Sequence, residues 1–285
     1  MRYQFIEEHR KEYPVTLLCE TLEVSISGYY DWRKRPMSEH TRSDTRLAEQ
    51  LQAAYHTHRG RYGSPRLFVE LHEQGISCSR KRVARLMREL GLSARRVRHR
   101  TRTTWSDPQG RVAPNLLDQD FVACRPNEKW TGDVTAVWTY EGWLYLAVVL
   151  DLFSRRVVGW AMAATQDETL VAMAFRMAWL SRRPGTGLLF HSDRGSQYTS
   201  DAYQALLREA RVTISMSRTG NCYDNAVTES FFGTLKAECI EGSTFQSRSQ
   251  ARQVIFEYTP CYSHRVRRHS TLGYKSPVIY EQLTC

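Results

Sequence analysis

Trp130-Thr131-Gly132-Asp133-Val134-Thr135-Ala136-Val137-Trp138 is the stretch that decides the fold. Apolar or small residues at 130, 132, 134, 136 and 138 take one face and Thr131, Asp133 and Thr135 the other, the period of two of a β-strand. The tight turn Tyr140-Glu141-Gly142 follows, and then Leu144–Leu150, an unbroken β-rich apolar run that reads as a central strand. Asp151 to Arg155 turns the chain into a third strand, Arg156–Ala161. Thr165 and Glu168 stand at capping-box spacing before a helix over Thr169–Leu180. Leu188–His191 is a fourth strand, Ser200 caps a helix through Ala210, and Val212–Met216 is a fifth. Helices near Asn225–Glu238 and Arg248–Tyr258 complete the pattern. Three antiparallel strands followed by alternating strands and helices predict an α/β domain, a mixed five-stranded sheet with helices on its faces.

Upstream the chain is helical and basic. From Ser79 to Arg102 there are ten Lys and Arg and one acid, Glu89, which is nearly all of the net charge of +10. Ser79 can cap a helix whose apolar stripe is Val83, Leu86, Met87 and Leu90, with Gly91 at the left-handed terminal position. Its other face carries Arg80, Lys81, Arg85 and Arg88, and Arg95, Arg96, Arg98, Arg100 and Arg102 follow without apolar periodicity. With Leu47, Leu51, Ala54 and Tyr55 on an earlier helix and Arg66 to Gln74 between, two readings stand: a helix-turn-helix-like module or a solvated helical hairpin. A helical pair, Val15–Leu22 and Gly28–Arg33, is expected before it. The Pro- and Gly-punctuated stretch from Trp105 to Asn127 reads as a linker. The expected organisation is 1–40 helical, 41–104 basic module, 105–127 linker, 128–245 α/β core, and 246–285 C-terminal helix and basic tail.

The 285 residues are 41% hydrophobic and 25% charged, ordinary usage that argues against wholesale disorder. The basic balance favours a polyanionic partner. The longest apolar run, Trp143 to Leu150, is far short of the roughly 20 residues of a membrane helix. No signal-peptide h-region is evident, and seven scattered cysteines without a CxxC pair argue against a disulfide framework, so a reducing cytoplasm and no membrane are expected.

Three carboxylates stand out. Asp133 lies inside a strand, where burial is costly unless a partner or cation compensates it; an exposed edge-strand Asp is the alternative. Asp193 follows the fourth strand in His191-Ser192-Asp193-Arg194-Gly195-Ser196-Gln197-Tyr198, at the strand end where α/β sheets place ligands; a turn Asp before Gly195 is the alternative. Glu229 shares a helical stripe with Asn225 and Lys236, away from Val227, Phe231 and Leu235; an ordinary exposed stripe is the alternative. Taken together, with thirty-five residues between Asp193 and Glu229, the three form one constellation.

On Trp130–Thr135, DLFSRRVVGW (Asp151–Trp160), HSDRGSQYTS (His191–Ser200), SRTGNCYDNAVTESFFGTLK (Ser217–Lys236) and HSTLGYKSP (His269–Pro277), the chain resembles bacterial insertion-sequence transposases of the DDE, retroviral-integrase-like superfamily. It is most similar to the second-reading-frame (orfB) type of insertion-sequence family three, with further likeness over Phe5–Trp32 and Arg61–Leu92. The resemblance implies an RNase H-like core in which Asp133, Asp193 and Glu229 are catalytic and hold two Mg²⁺ or Mn²⁺ ions, suited to in-line phosphoryl displacement. It implies double-stranded DNA as partner, both terminal inverted repeats and target. It also implies an upstream-frame orfA product or a frameshift fusion, a homo-oligomer on DNA, and a bacterial, nucleoid-associated setting. Lys236 takes the role of a contact to terminal DNA. Asn221 and Asn225 either bind DNA or cap the helix. His191 and Gln197, with Thr135 beside Asp133, either orient substrate or support the site structurally. Trp130 reads as core. Tyr258 to Tyr280 contains no acid, and Arg267 and Arg268 are expected to contact phosphate. Tyr262-Ser263, preceded by Pro260-Cys261, departs from the usual Tyr-Asn of the family and points to an altered helix end. Two rival functions are an RNase H-like nuclease without strand transfer and a catalytically silent DNA-binding regulator.

Overall fold

The computed structural model describes residues 1–35, 37–95, 112–218 and 222–284. Three helices open the chain, α1 (Arg2–His9), α2 (Val15–Thr21) and α3 (Ile26–Lys34), around a small core of Ile6, Leu18, Cys19 and Tyr29. The expected helical pair is therefore three helices; α1 escaped notice because only Ile6 of its eight residues is buried. A second helical unit follows: α4 (Glu39–Thr57), α5 (Ser64–Glu73) and α6 (Arg80–Glu89). Leu47, Leu51, Leu67, Leu71, Val83 and Leu86 form its core, each side chain contributing about 1.5–3 kcal/mol by leaving water. Ser79 accepts a hydrogen bond from the Arg82 amide and caps α6. Gly91, at φ +66°, ends it in the left-handed conformation that costs glycine least. Residues 105–111 of the Trp105–Asn127 linker, and Arg96, Arg98, Arg100 and Arg102, lie outside the described residues.

The main domain is one five-stranded sheet ordered β3-β2-β1-β4-β5, with β1 (Lys129–Thr139), β2 (Gly142–Asp151), β3 (Val157–Ala163), β4 (Leu189–Ser192) and β5 (Thr213–Met216). The first three strands are antiparallel; β4 and β5 run parallel to β1. Helices α7 (Glu168–Arg182), α8 (Ser196–Thr199), α9 (Asp201–Glu209), α10 (Ala226–Leu235), α11 (Arg248–Phe256) and α12 (Pro277–Thr284) surround it. The α7 cap differs from the expected Thr165–Glu168 box: Asp167 accepts from the Leu170 amide, and Thr165 donates to Asp167 instead. Gly159 lets α7 approach β3, since a Cβ there would lie 2.2 Å from the Ala174 carbonyl oxygen.

The alternation along β1 sorts two cores. Trp130 packs with Val149, Phe175, Phe190 and Tyr203 under α7 and α9. Val137 packs with Leu146, Val148, Phe231, Leu235 and Ile255 under α10 and α11, so Thr131, Asp133 and Thr135, which share the Val137 face of the strand, look toward α10. After α10 the chain widens into a π-helical turn, Lys236–Ile240, and after α11 into another, Glu257–Ser263. Pro260 has no amide to donate inside the second turn, so the altered helix end at Tyr262-Ser263 has a local cause.

The helical unit α4–α6 is bolted to the main domain through its C-terminal segment. The Tyr62 hydroxyl donates to the Val266 carbonyl at 3.1 Å and accepts from the Arg268 amide at 2.9 Å. Arg66 Nε donates to the Arg268 carbonyl, and the Arg268 guanidinium bridges Glu70 and Glu73 on α5. The Arg61 guanidinium lies 4.2 Å over the Tyr262 ring.

Candidate active site

The register places two carboxylates side by side. Gly132 of β1 pairs with Ser192 of β4, so Asp133 and Asp193 stand one residue further along neighbouring parallel strands. Asp133 accepts from its own neighbour's amide, Val134, at 2.7 Å, and Asp193 from the Gly195 amide at 3.0 Å. Burial pushes the Asp133 carboxyl well above the usual range, and the Asp193 carboxylate, then Glu229, push it further; Lys236 pulls it back. Asp193 is raised as well, again by burial first. Two neighbouring, half-buried carboxylates whose charged forms burial penalises, with Asp133 penalised further by Asp193, make a site that favours a cation.

Glu229 lies on the first turn of α10 and is exposed, and Lys236 is half-buried at the C-terminal end of that helix. Among the described residues no three His, Cys, Asp or Glu side chains form a ready metal cluster; the sheet supplies the pair Asp133 and Asp193, and Glu229 faces them electrostatically from the helix. What fixes α10 to the sheet is Thr131. Its hydroxyl donates to Asn225 Oδ1 at 2.7 Å and stands 3.0 Å from the Thr228 hydroxyl. Asn225 is thereby buried and committed to β1, which overturns both its DNA-binding and its capping reading; Asn221 lies outside the described residues. The loop before α10 is held by the buried Asp224, which accepts from Asn115, Gln119 and Arg218. The sequence did not single out Thr131, Thr228 or Asp224, whose partners lie up to 109 residues away.

His191 is fully buried, with Nδ1 2.9 Å from the Ser215 hydroxyl and Nε2 3.1 Å from that of Ser217. Both ring nitrogens are thus engaged between β4 and the end of β5, the structural alternative, and burial lowers its pKa to about 4. Gln197 is buried, with its amide against Gly195: a Cβ there would lie 2.4 Å from Nε2, so any larger residue would push the Gln197 side chain aside. Thr135 is buried on the Asp133 side of β1. Tyr198, absent from the sequence reading, is buried, and both Asp133 and Asp193 help raise its pKa.

The basic candidates divide. Arg80, Lys81 and Arg88 are exposed on α6. Arg85 pairs with Asp44 at 2.6 Å and Glu89 at 2.9 Å, and Arg95 donates to the Glu238 carbonyl. Arg96 and Arg98 lie outside the described residues. For Arg267 and Arg268 the phosphate-contact reading fails: Arg267 is buried against Glu238 at 2.7 Å, and Arg268 is spent on Glu70 and Glu73. Among the described residues no helix is long and apolar enough to cross a membrane.

A mixed sheet in this order, with a carboxylate pair on its β1 and β4 strands, defines an integrase-type catalytic core. The family descriptions agree: "Integrase core domain" matches residues 123–222 and 210–277, and "HTH-like domain" matches residues 42–100. Transposase InsF for insertion sequence IS3A of Escherichia coli K12 is 44% identical over 284 residues, covering 99% of this chain and 98% of its own. The insertion element IS600 uncharacterized 31 kDa protein of Shigella sonnei is 43% identical over 265 residues, covering 93% and 97%. Among solved structures, the simian T-cell lymphotropic virus intasome in complex with PP2A regulatory subunit B56 gamma has a TM-score of 0.47 at 14% identity, covering 81% of this chain and 74% of that one. The magnesium-bound HTLV-2 integrase catalytic core domain in its trimeric form has a TM-score of 0.41 at 15% identity, covering 56% and 99%. The chain belongs to the IS3-family transposases, DNA transposases built on an integrase core.

Proposed function

We propose that the chain cuts insertion-element ends and joins them to target DNA, with Asp133, Asp193 and Glu229 as the catalytic carboxylates. The observation that carries this reading is the pair Asp133, inside β1, and Asp193, just past the end of neighbouring β4, each raised in pKa, with Glu229 opposed to them from α10. The donor set is all oxygen, which suits Mg²⁺ or Mn²⁺ and could take two ions. When bound, such cations supply Lewis acidity to the attacking and leaving oxygens of an in-line displacement. Asp133 and Asp193 are preset by the sheet; Glu229, on the exposed turn of α10, completes the set as DNA engages.

The reaction needs no protein nucleophile. Water attacks a phosphodiester at the element end, the phosphorus–O3′ bond breaks, and a 3′-hydroxyl is released. That hydroxyl attacks a second phosphodiester in the target, forming a new phosphorus–oxygen bond and expelling the target's own 3′-oxygen. Lys236, two turns beyond Glu229, contacts the terminal DNA, and Arg80, Lys81 and Arg88 contact phosphates from α6. Tyr198, His191 and Gln197 hold the walls of the carboxylate cleft. Duplex DNA is the partner, and paired ends call for an oligomer. An upstream-frame product or frameshift fusion adds end specificity, in a nucleoid-associated setting.

The test is a cleavage and strand-transfer assay on a labelled duplex bearing the source element's end, comparing wild type with Glu229→Gln in Mg²⁺ or Mn²⁺. Joined product that disappears in the variant supports the reading. Nicking without joining favours the nuclease, and DNA binding without any reaction, even by the frameshift-fused form, favours the silent regulator.

A further inference from the structure

A cavity of about 270 Å³ opens beside α10, where the α4–α6 unit, the sheet and the C-terminal segment meet. Its lining contains no Asp or Glu, but it contains Arg66, Arg155, Arg267 and His269. Arg267 is matched by Glu238. Arg66 and Arg155 form no close ion pair among the described residues, although Glu238 and Asp151 attract them at longer range: Arg66 Nε donates to the Arg268 carbonyl and Arg155 Nη2 to that of Phe121. Two buried polar atoms are left over in this place, Arg155 Nη1 and His269 Nε2, neither with a hydrogen-bond partner. An unsatisfied buried donor on a charged group is among the costlier defects a fold can carry.

The rim is different in character. Ser230, Ser270 and Thr271 are exposed and line the cavity. The wall is thus mixed: Phe121, Leu150, Val227 and Phe231 are apolar, Arg66 and Arg155 bring charge, and the exposed hydroxyls supply donors suited to a tetrahedral oxyanion. His269 has a pKa lowered to about 3, by burial first and further by Arg267, Arg66 and Arg155.

We propose that this cavity binds a phosphate group, and that the group is a backbone phosphate of the DNA strand lying along α10. Arg66 and Arg155 attract it with their charge, and the rim hydroxyls of Ser230, Ser270 and Thr271 donate at the mouth; Arg155 Nη1 and His269 Nε2 are sealed behind the wall in the free chain. Ser230 directly follows Glu229 on α10, so an occupied cavity anchors the strand on the helix that carries the third carboxylate. The DNA half of this proposal rests on the proposed function; the phosphate half does not.

The experiment has two arms on the full chain, both without divalent metal. In the first, inorganic phosphate is titrated at constant ionic strength against chloride, read by calorimetry and melting temperature. Saturable binding is expected, weakened about tenfold or more in Arg155→Gln, as for loss of an attracting charge. Thr271→Val, at an exposed rim position, weakens it less and keeps the wild-type melting temperature, so the result stands even if Arg155→Gln folds poorly. Equal response to phosphate and chloride, or equal binding by all three proteins, overturns the site. In the second arm, a single uncharged methylphosphonate is walked along the strand of an element-end duplex. One linkage should weaken wild-type binding about tenfold yet leave Arg155→Gln unaffected, the signature of a coupled pair. If no linkage does so while inorganic phosphate binds, the source is free phosphate and the DNA half is overturned. Neither arm reads cleavage, so intact coupling with no strand transfer counts against the proposed chemistry and not against this site.

Discussion

Arg267→Ala strips the cation from a carboxylate that has little else to hold it. Glu238 is 4% exposed and Arg267 5%. Three contacts of 2.7 to 3.0 Å join them, from Nε and Nη2 of Arg267 to both oxygens of Glu238. After truncation the described partner left to the carboxylate is the Tyr258 hydroxyl at 2.9 Å. Removing one member of a buried pair costs about 3–5 kcal/mol, because the charge that remains is neither solvated nor matched. Against a total stability of about 5–15 kcal/mol that is a large fraction. At about 2–4 °C per kcal/mol, the melting temperature falls by roughly 6–20 °C. Glu238 sits in the π-helical turn that continues α10, and its carbonyl accepts from both Arg61 and Arg95, so the loss loosens the Glu229 helix and the α4–α6 unit together. The assay is urea unfolding followed by circular dichroism and tryptophan fluorescence. The double variant Glu238→Leu/Arg267→Met should return to within about 1 kcal/mol of wild type, since an apolar pair of similar volume needs no ion partner. A single variant that loses less than about 1 kcal/mol, or a double variant no better than the single, refutes the reasoning.

Further expectations follow from the same geometry. Asp133→Asn, by relieving a raised carboxyl beside Asp193, should melt higher than wild type without metal yet lose the stabilisation that Mg²⁺ or Mn²⁺ gives wild type; a lower metal-free melting temperature contradicts this. His191, with a pKa lowered to about 4, and His264 and His269, lowered to about 3, are neutral in the fold. Their contribution is complete above the unfolded histidine value near 6.5 and is lost progressively from there down to the folded values, at up to about 1.4 kcal/mol per pH unit for each. Urea midpoints in phosphate-free buffer should therefore drop from pH 7 to 5, and a flat profile contradicts it. Replacing Arg80, Lys81 and Arg88 together by Ala should flatten the salt dependence of DNA binding by up to about 0.9 per residue in the log–log slope. Arg85→Ala, already paired with Asp44 and Glu89, should flatten it less, and equal slopes would remove α6 from the interface.

The sheet was legible because its signals are local. Trp130–Trp138 alternates and Leu144–Leu150 does not, and the strands themselves extend only to Lys129–Thr139 and Gly142–Asp151. The spacing of Asp133, Asp193 and Glu229 was legible as well, although what each carboxylate does is the proposal above. The failures are long-range. Arg267 and Arg268 read as free cations because Glu238, Glu70 and Glu73 stand 29 to 198 residues away. Asn225 read as a DNA contact or a cap because Thr131, which holds its side chain, is 94 residues distant. The cap of α7 failed for a local reason: Asp167 and Thr165 are both competent acceptors, and only the backbone path decides that Asp167 meets the Leu170 amide. Arg155, at φ +60°, gave no sign in the sequence of the buried Nη1 that points the second site out.

The central claim, that Asp133, Asp193 and Glu229 together hold the cations of phosphoryl transfer, is tested most directly by anomalous scattering from Mn²⁺ in crystals of the chain bound to an element-end duplex. The account predicts density between the three carboxylates in wild type, weakened in Glu229→Gln and gone in Asp193→Asn. Manganese elsewhere, or density unchanged in both variants, contradicts it.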